Sequence, residues 1–203
     1  MNLYRELILP HLVHGSMRNP QLLPYRRRVL AAARGRVVEV GIGSGLNLPL
    51  YPGGVTEVIG LDPATRLAAM ARRAARNVAF PVTVMEESAE EIPLETGSVD
   101  MVVSTWTLCS IPRVSKALSE MRRVLKSGGQ LLFVEHGLSP DDSVRRWQNR
   151  LTPVWKCCAG GCHLNRPIGS LVEEAGFRCT ALETGYSKGP SPMVFMYEGR
   201  AAS

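Results

Sequence analysis

Three alternate glycines and an aspartate carry the clearest chemical potential in this chain. Residues 37–52 read VVEVGIGSGLNLPLYP, an apolar run broken only by Glu39 and followed by Gly41, Gly43 and Gly45. Glycines adopt backbone angles that side chains forbid, and they let a ligand lie against the main chain. Asp62 ends a second apolar run, in VIGLDPA, 21 positions after Gly41. A carboxylate there can accept hydrogen bonds from both hydroxyls of an adenosine ribose. The alternative is structural, because Asp followed by Pro63 is also a good helix start. A dinucleotide fingerprint needs a glycine at 46, where this chain has Leu46, and Pro49 and Pro52 leave room for only a short helix. An NAD-dependent oxidoreductase is disfavoured on both counts.

A second group of reactive side chains lies in WKCCAGGCHLNR, residues 155–166. Cys157, Cys158, Cys162 and His163 are potential metal ligands, but zinc sites space their ligands with two or more residues between them. Adjacent Cys-Cys and Cys-His pairs chelate awkwardly, so no metal is expected. With Cys109 and Cys179 the cysteines number five and show no disulfide spacing, which fits free thiols in a reducing compartment.

These residues need a frame to hold them. At 203 residues, 45% of them hydrophobic, the chain suits one domain with a substantial core. Apolar runs recur at 36–40, 56–61, 81–85, 99–104, 130–135, 177–183 and 193–198. Helical patterns fall between several of them, over Pro63–Asn77, Pro112–Lys126 and 168–175. This alternation predicts right-handed crossovers around a mostly parallel sheet. The last two runs are joined by TGYSKGPSP without a helix and are expected to pair antiparallel. Residues 1–34 are read as a helical N-terminal cover, 35–136 as the ligand-binding core, and 137–203 as an insertion plus the final strands.

Ligands of such sheets bind beyond the carboxyl ends of the strands. There the third run leads into EESAEEIPL, where Ser88, Ala89 and the Glu90 side chain can border a base, and the fourth ends near Ser104 and Thr105. Glycine loop, acid, polar turn and polar strand end thus arrive in order along one edge. Taken together, VVEVGIGSG, GLDPA, ESAEEIPL, GSVDMVVSTWTLCSI and RRVLKSGGQLLFVEH resemble the class I S-adenosylmethionine-dependent methyltransferases. The resemblance implies an α/β, Rossmann-like sheet of seven strands, mostly parallel, with an antiparallel final strand and helices on both faces. It implies S-adenosylmethionine as cofactor and S-adenosylhomocysteine as product. Glu39, Gly41, Gly43, Ser44, Gly45 and Asn47 would surround the methionine half. Asp62 and Pro63 would lie at the ribose, and Ser88, Ala89, Glu90 and Thr105 near the base.

GLNLPLYP, TLCSI, FVEHG, PVWKCCAGGCHLNR and EEAGF are similar to the small-thiol S-methyltransferases and their bacterial relatives. That implies a small, lipophilic acceptor, with a thiol favoured over a phospholipid amine or a quinone. A thiol must lose its proton before it attacks. His136, directly after LLFVE, is the candidate to orient or deprotonate it, and a histidine bonded within a loop is the equal alternative. Glu135 would be its partner or a surface carboxylate; His11, His14 and His163 are weaker candidates.

The net charge of +6 belongs wholly to residues 1–36, where Arg5, Arg18, Arg26, Arg27, Arg28, Arg34 and Arg36 face Glu6 alone. A solvated helical face is the favoured reading, and peripheral contact with an anionic membrane the second. A purely membrane-binding module without activity is the non-enzymatic alternative, and no nucleic-acid partner is expected. No apolar run reaches the ~18 residues of a membrane span, no secretory signal is legible, and a cytoplasmic location is expected.

Overall fold

The computed structural model describes residues 3–203, apart from the side chain of Arg5. Met1 and Asn2, the first residues of the expected helical cover, lie outside the described residues. Seven strands form one sheet: β1 (Gly35–Val40), β2 (Val55–Leu61), β3 (Val82–Met85), β4 (Val99–Thr105), β5 (Leu125–His136), β6 (Arg178–Tyr186) and β7 (Phe195–Ala202). Their spatial order is β3-β2-β1-β4-β5-β7-β6. The first five run parallel, and β7 is antiparallel to both β5 and β6. The expected seven-stranded sheet with a reversed last strand is the observed one.

Strand order reverses between β1 and β4, because the chain builds outward through β2 and β3 and then returns. Side chains of successive strand residues point to opposite faces, and here both faces are covered. Val38, Val40, Ile59, Leu61, Val102 and Phe133 enter the core under α4 (Val114–Val124) and α6 (Ile168–Glu174). Val37, Val58, Met101, Val103, Leu132 and Val134 enter the opposite core. That second core also takes up Val29 and Leu30 of α2 (Leu23–Leu30) and Ala71 of α3 (Thr65–Ala75). Two covered faces explain why the central strands read as continuous apolar runs rather than as alternation.

The N-terminal cover consists of a wide π-type turn, Tyr4–Ile8, running into α1 (Leu9–Met17). Pro10 does not end this helix. It occupies the first turn of α1, where its missing N–H costs least, and the turn before it widens. The insertion contains α5 (Asp142–Cys158), which buries only Gln148 and Thr152. Gln148 holds it to the sheet edge, accepting from the Ser139 N–H at 2.9 Å and donating to the carbonyls of Gly137 at 2.9 Å and Pro192 at 3.2 Å. Among the described residues no helix is long and apolar enough to cross a membrane.

Gly60, next to the carboxyl end of β2, is where the Ile42 side chain of the glycine loop packs on the sheet. A Cβ at this position would lie 2.2 Å from Ile42 Cδ1 and 2.9 Å from its Cβ. Gly60→Ala is therefore expected to destabilise the fold by about 1–3 kcal/mol through overpacking. Denaturant unfolding checks this, and an unchanged midpoint would show that the loop moves aside at no cost.

Candidate active site

A cavity of about 660 Å³ opens at the carboxyl ends of β1, β2 and β4, where the strand order reverses. The loop after β1 forms its floor, and its three glycines serve three different purposes. Gly41 (φ 69°) passes so close to the loop after β4 that a Cβ would meet Thr107 Oγ1 at 2.1 Å. Gly45 (φ 78°) packs on α3, with a Cβ 3.0 Å from that of Ala74. Only at Gly43 (φ 55°) is the added space open, the nearest atom being the Gly41 carbonyl oxygen at 3.9 Å. Gly43 is thus a cradle that a side chain would fill, whereas Gly41 and Gly45 are required by packing.

Asp62 closes one side of that cradle. One carboxylate oxygen accepts the Gly43 N–H at 3.0 Å and the other the Ala64 N–H at 2.8 Å. Each oxygen retains a second acceptor position. Burial pushes the carboxyl above its ordinary range, against those two backbone bonds. Asp62 lies on the cavity wall beside Pro63 and Ala64, and α3 starts only at Thr65. Asp62 is thus not the cap of α3, whose N-cap is Ala64 without a side-chain bond; its carboxylate braces the turn before the helix and lies on the cavity wall.

Ser44, Ser88, Ala89 and Thr105 reach the wall as well. Glu90 does not. Its carboxylate is turned to Arg113, accepting the backbone N–H at 2.9 Å and the side-chain Nε at 2.6 Å, and so ties this turn to the start of α4 rather than bordering a base.

Glu39 and Asn47 lie behind the wall. Glu39 is fully buried and accepts from Asn47 Nδ2 and from the Tyr51 hydroxyl, both at 2.8 Å. Burial outweighs those bonds and raises its pKa to about 7. Asn47 Nδ2 also donates to Thr105 Oγ1 at 3.1 Å, and Asn47 Oδ1 accepts from Arg26 at 2.7 Å.

Arg26 corrects the expectation of a solvated basic face. It is 6% exposed, lines the cavity, and stacks its guanidinium 4.8 Å from the centroid of Trp106. Arg28 pairs with Glu198 and Arg36 with Glu57, while Arg18, Arg27 and Arg34 remain exposed. Nothing in the triplet Arg26–Arg28 distinguishes the buried member in sequence. Only the packing of Val29 and Leu30 into the core sets which arginine of α2 faces inward.

The loop after β4 turns sharply at Trp106, the one non-glycine residue with positive φ (51°) among the described residues. Glu135 holds it there. One oxygen of this buried carboxyl accepts from Thr107 N–H at 2.9 Å, Leu108 N–H at 3.0 Å and Ser104 Oγ at 2.8 Å, while the other has no partner. Burial, and then the neighbouring Cys109, raise its pKa to about 8. Glu135 is thus neither a surface carboxylate nor a hydrogen-bond partner of His136. It positions the loop that supplies Trp106, Thr107, Ser110 and Ile111 to the wall.

His136 stays behind that wall. Its Nε2 lies 3.0 Å from Cys162 Sγ, and its Nδ1 is enclosed without a partner. His163 bonds to the Cys109 carbonyl, and His11 is exposed. His14 is the histidine that reaches the cavity, bonded through Nδ1 to Ser44 Oγ at 2.7 Å. With Leu9, Pro10, Val13 and Met17 it makes α1 the fourth wall of the cavity.

A methyltransferase-domain family matches residues 38–133, the stretch that builds this cavity. The human thiol S-methyltransferase TMT1B is 34% identical over 176 residues, covering 84% of this chain and 70% of the human protein. The rat protein of that name is 34% identical over 151 residues, and the chain spans only 62% of its length. This chain belongs to the S-adenosylmethionine-dependent methyltransferases. In fold, a Thermotoga maritima structure described as a SAM-dependent methyltransferase superposes with a TM-score of 0.68 at 22% identity, covering 96% of this chain and 98% of that one.

The methyltransferase cavity fits its cofactor on its own evidence of shape and donors. Gly43 leaves room against the main chain, Asp62 keeps acceptor positions for ribose hydroxyls, and Arg26 brings a fixed cation to the wall. Asp62→Ala is expected to weaken S-adenosylhomocysteine binding roughly 5- to 100-fold, about 1–3 kcal/mol. Calorimetry on a variant that still melts cooperatively checks this, and unchanged affinity would reduce Asp62 to a brace for α3.

Glu135 makes a separate prediction about pH. Its proton is held to about pH 8 in the fold, against an ordinary value of 4.5. The native state therefore binds that proton more tightly than the unfolded chain. Its contribution is complete below pH 4.5 and is lost as pH rises toward 8. Glu135→Gln mimics the neutral form, and its stability should exceed that of the wild type by on the order of 3 kcal/mol at pH 8.5, with little difference at pH 5. Parallel unfolding curves at the two pH values would refute a raised pKa.

Proposed function

We propose that this methyltransferase methylates the sulfur of a small lipophilic thiol. The observation that carries the reading is the wall supplied by α1, where Leu9, Pro10, Val13 and Met17 face the cofactor loop. An apolar acceptor gains by leaving water there, and the likeness to the thiol S-methyltransferases agrees with sulfur as the receiving atom. S-adenosylmethionine supplies a methyl group on a sulfonium, which is transferred to the acceptor and leaves S-adenosylhomocysteine.

The residues around the cavity divide the remaining work. Gly41–Ser44 and Asp62 hold the nucleoside, and Arg26 meets the carboxylate of the methionine tail. Arg26 is kept in place by Asn47, Thr105 and the Trp106 ring. Ser88 and Ala89, with Ile111 and Pro112, flank the base. His14, clasped to Ser44, holds α1 down and keeps water from the reacting atoms.

No wall residue needs to act as a strong base. A thiol of pKa near 8.5 is partly ionised at neutral pH, and an apolar wall strips that thiolate of water while holding it in line. His136, behind the wall, is not required as proton acceptor in this scheme. The outer face of the N-terminal cover exposes Leu3 (63%), Ile8 (52%) and Leu12 (55%). These side chains support delivery of the acceptor from a lipid surface by peripheral contact.

Substrate acidity separates these ideas. Across a series of thiols, kcat/KM should rise with pH and level off at each acceptor's own pKa. An inflection that stays at one pH for every thiol would assign deprotonation to the protein instead. Turnover of amines, phenols or quinones with labelled methyl donor, and of no thiol, would overturn the choice of sulfur.

A further inference from the structure

Cys109, His136 and Cys162 come from three separate parts of the chain and meet behind the acceptor wall. Cys109 belongs to the loop after β4, His136 ends β5, and Cys162 follows α5. Their two sulfurs and an imidazole nitrogen all lie within 4.8 Å of one another. Cys109 is 2% exposed and Cys162 8%. We propose that these three side chains bind a single zinc ion.

The geometry is close to what such an ion needs. Bonds of about 2.3 Å to sulfur and about 2.0 Å to nitrogen put two sulfurs and one nitrogen of a tetrahedron roughly 3.5–3.8 Å apart. The Nε2–Sγ pair of His136 and Cys162 stands at 3.0 Å, so small side-chain shifts suffice. Two thiolates and a neutral imidazole around a dication leave no net charge, which the dry interior tolerates better than any of the ions alone. Binding releases the two thiol protons to solvent and forms two Zn–S bonds and one Zn–N bond, with no change in oxidation state.

The surroundings hold the donors in place. Trp155 Nε1 donates to Cys162 Sγ at 3.3 Å, which supports negative charge on that sulfur. The His163 N–H bonds the Cys109 carbonyl at 2.8 Å and pins the two cysteine loops together. The imidazole nitrogen left without a partner, Nδ1, is enclosed. The fourth position of the tetrahedron is left for water or another small ligand.

The site bears on the cavity, because Cys109 precedes Ser110 and Cys162 follows Gly161, and both of those neighbours line it. A bound ion would lock the two loops that make this part of the wall. The adjacent cysteines of the same segment take no part. Cys157 and Cys158 are exposed on the last turn of α5, with sulfurs directed to the carbonyls of Pro153 and Val154.

The test titrates the reduced full chain with Co²⁺ under anaerobic conditions and then displaces it with Zn²⁺. One equivalent should give thiolate-to-metal charge-transfer absorption with tetrahedral d–d bands and release about two protons as Co²⁺ binds the metal-free chain, and Zn²⁺ should then abolish the bands with no further proton release. The signal should persist in Cys157→Ser/Cys158→Ser, whose exposed side chains leave the fold intact. It should be lost in Cys162→Ser, and affinity should fall about 10- to 100-fold in Trp155→Phe. A reduced wild-type chain with no thiolate–cobalt band overturns the proposal, as does a band that vanishes with Cys157 and Cys158. A Cys109–Cys162 disulfide in the isolated protein, with no metal taken up after reduction, would assign the pair to redox chemistry instead.

Discussion

A carboxyl group removed from water must be given donors or keep its proton, and this fold places two such groups at its centre. Glu39 lies in β1 and Glu135 in β5, both fully buried. Each draws a loop toward itself. Glu39 gathers Asn47 and Tyr51 and thereby fixes the segment after the glycines. Glu135 gathers Thr107 and Leu108 and fixes the turn after β4. The cavity lies between these two loops. Its shape thus depends on hydrogen bonds made behind its wall.

The glycines complete that arrangement by closeness rather than by flexibility. Gly41 admits Thr107, Gly45 admits α3, and Gly60 admits Ile42. Each omits a side chain where another segment packs against the backbone. Within the loop, Gly43 alone leaves that space open. A motif that reads as one glycine-rich loop is therefore two packing requirements and one open position, and substitutions within it should differ in kind.

The basic N-terminal segment illustrates how charge counts mislead. A cluster of arginines reads as a surface, yet Arg26 is drawn inward by the Trp106 ring, Asn47 and Thr105. Burial of its guanidinium costs solvation, and bonds to Asn47, Thr105 and the Met17 carbonyl offset part of it. α1 closes over the same region, so the N-terminal cover belongs to the site and is not an appendage of it.

What the sequence alone determined is whatever local pattern controls. Strand and helix positions followed from apolar periodicity, the sheet class from the alternation of elements, and the cofactor from the resemblance of the glycine loop, acid and turn to a known methyltransferase class. That Asp62, Gly43, Ser88 and Thr105 line one cavity was legible because each lies at, or within three residues of, a strand's carboxyl end. What only the tertiary structure decided is every pairing across distance. Glu90 turned to Arg113, Arg26 entered the cavity, His136 withdrew behind it, and Cys109 met Cys162 instead of Cys157 and Cys158. A residue's neighbours along the chain set its conformation, but the decisive partners here come from segments as far as 170 residues away, and no local spacing encodes them.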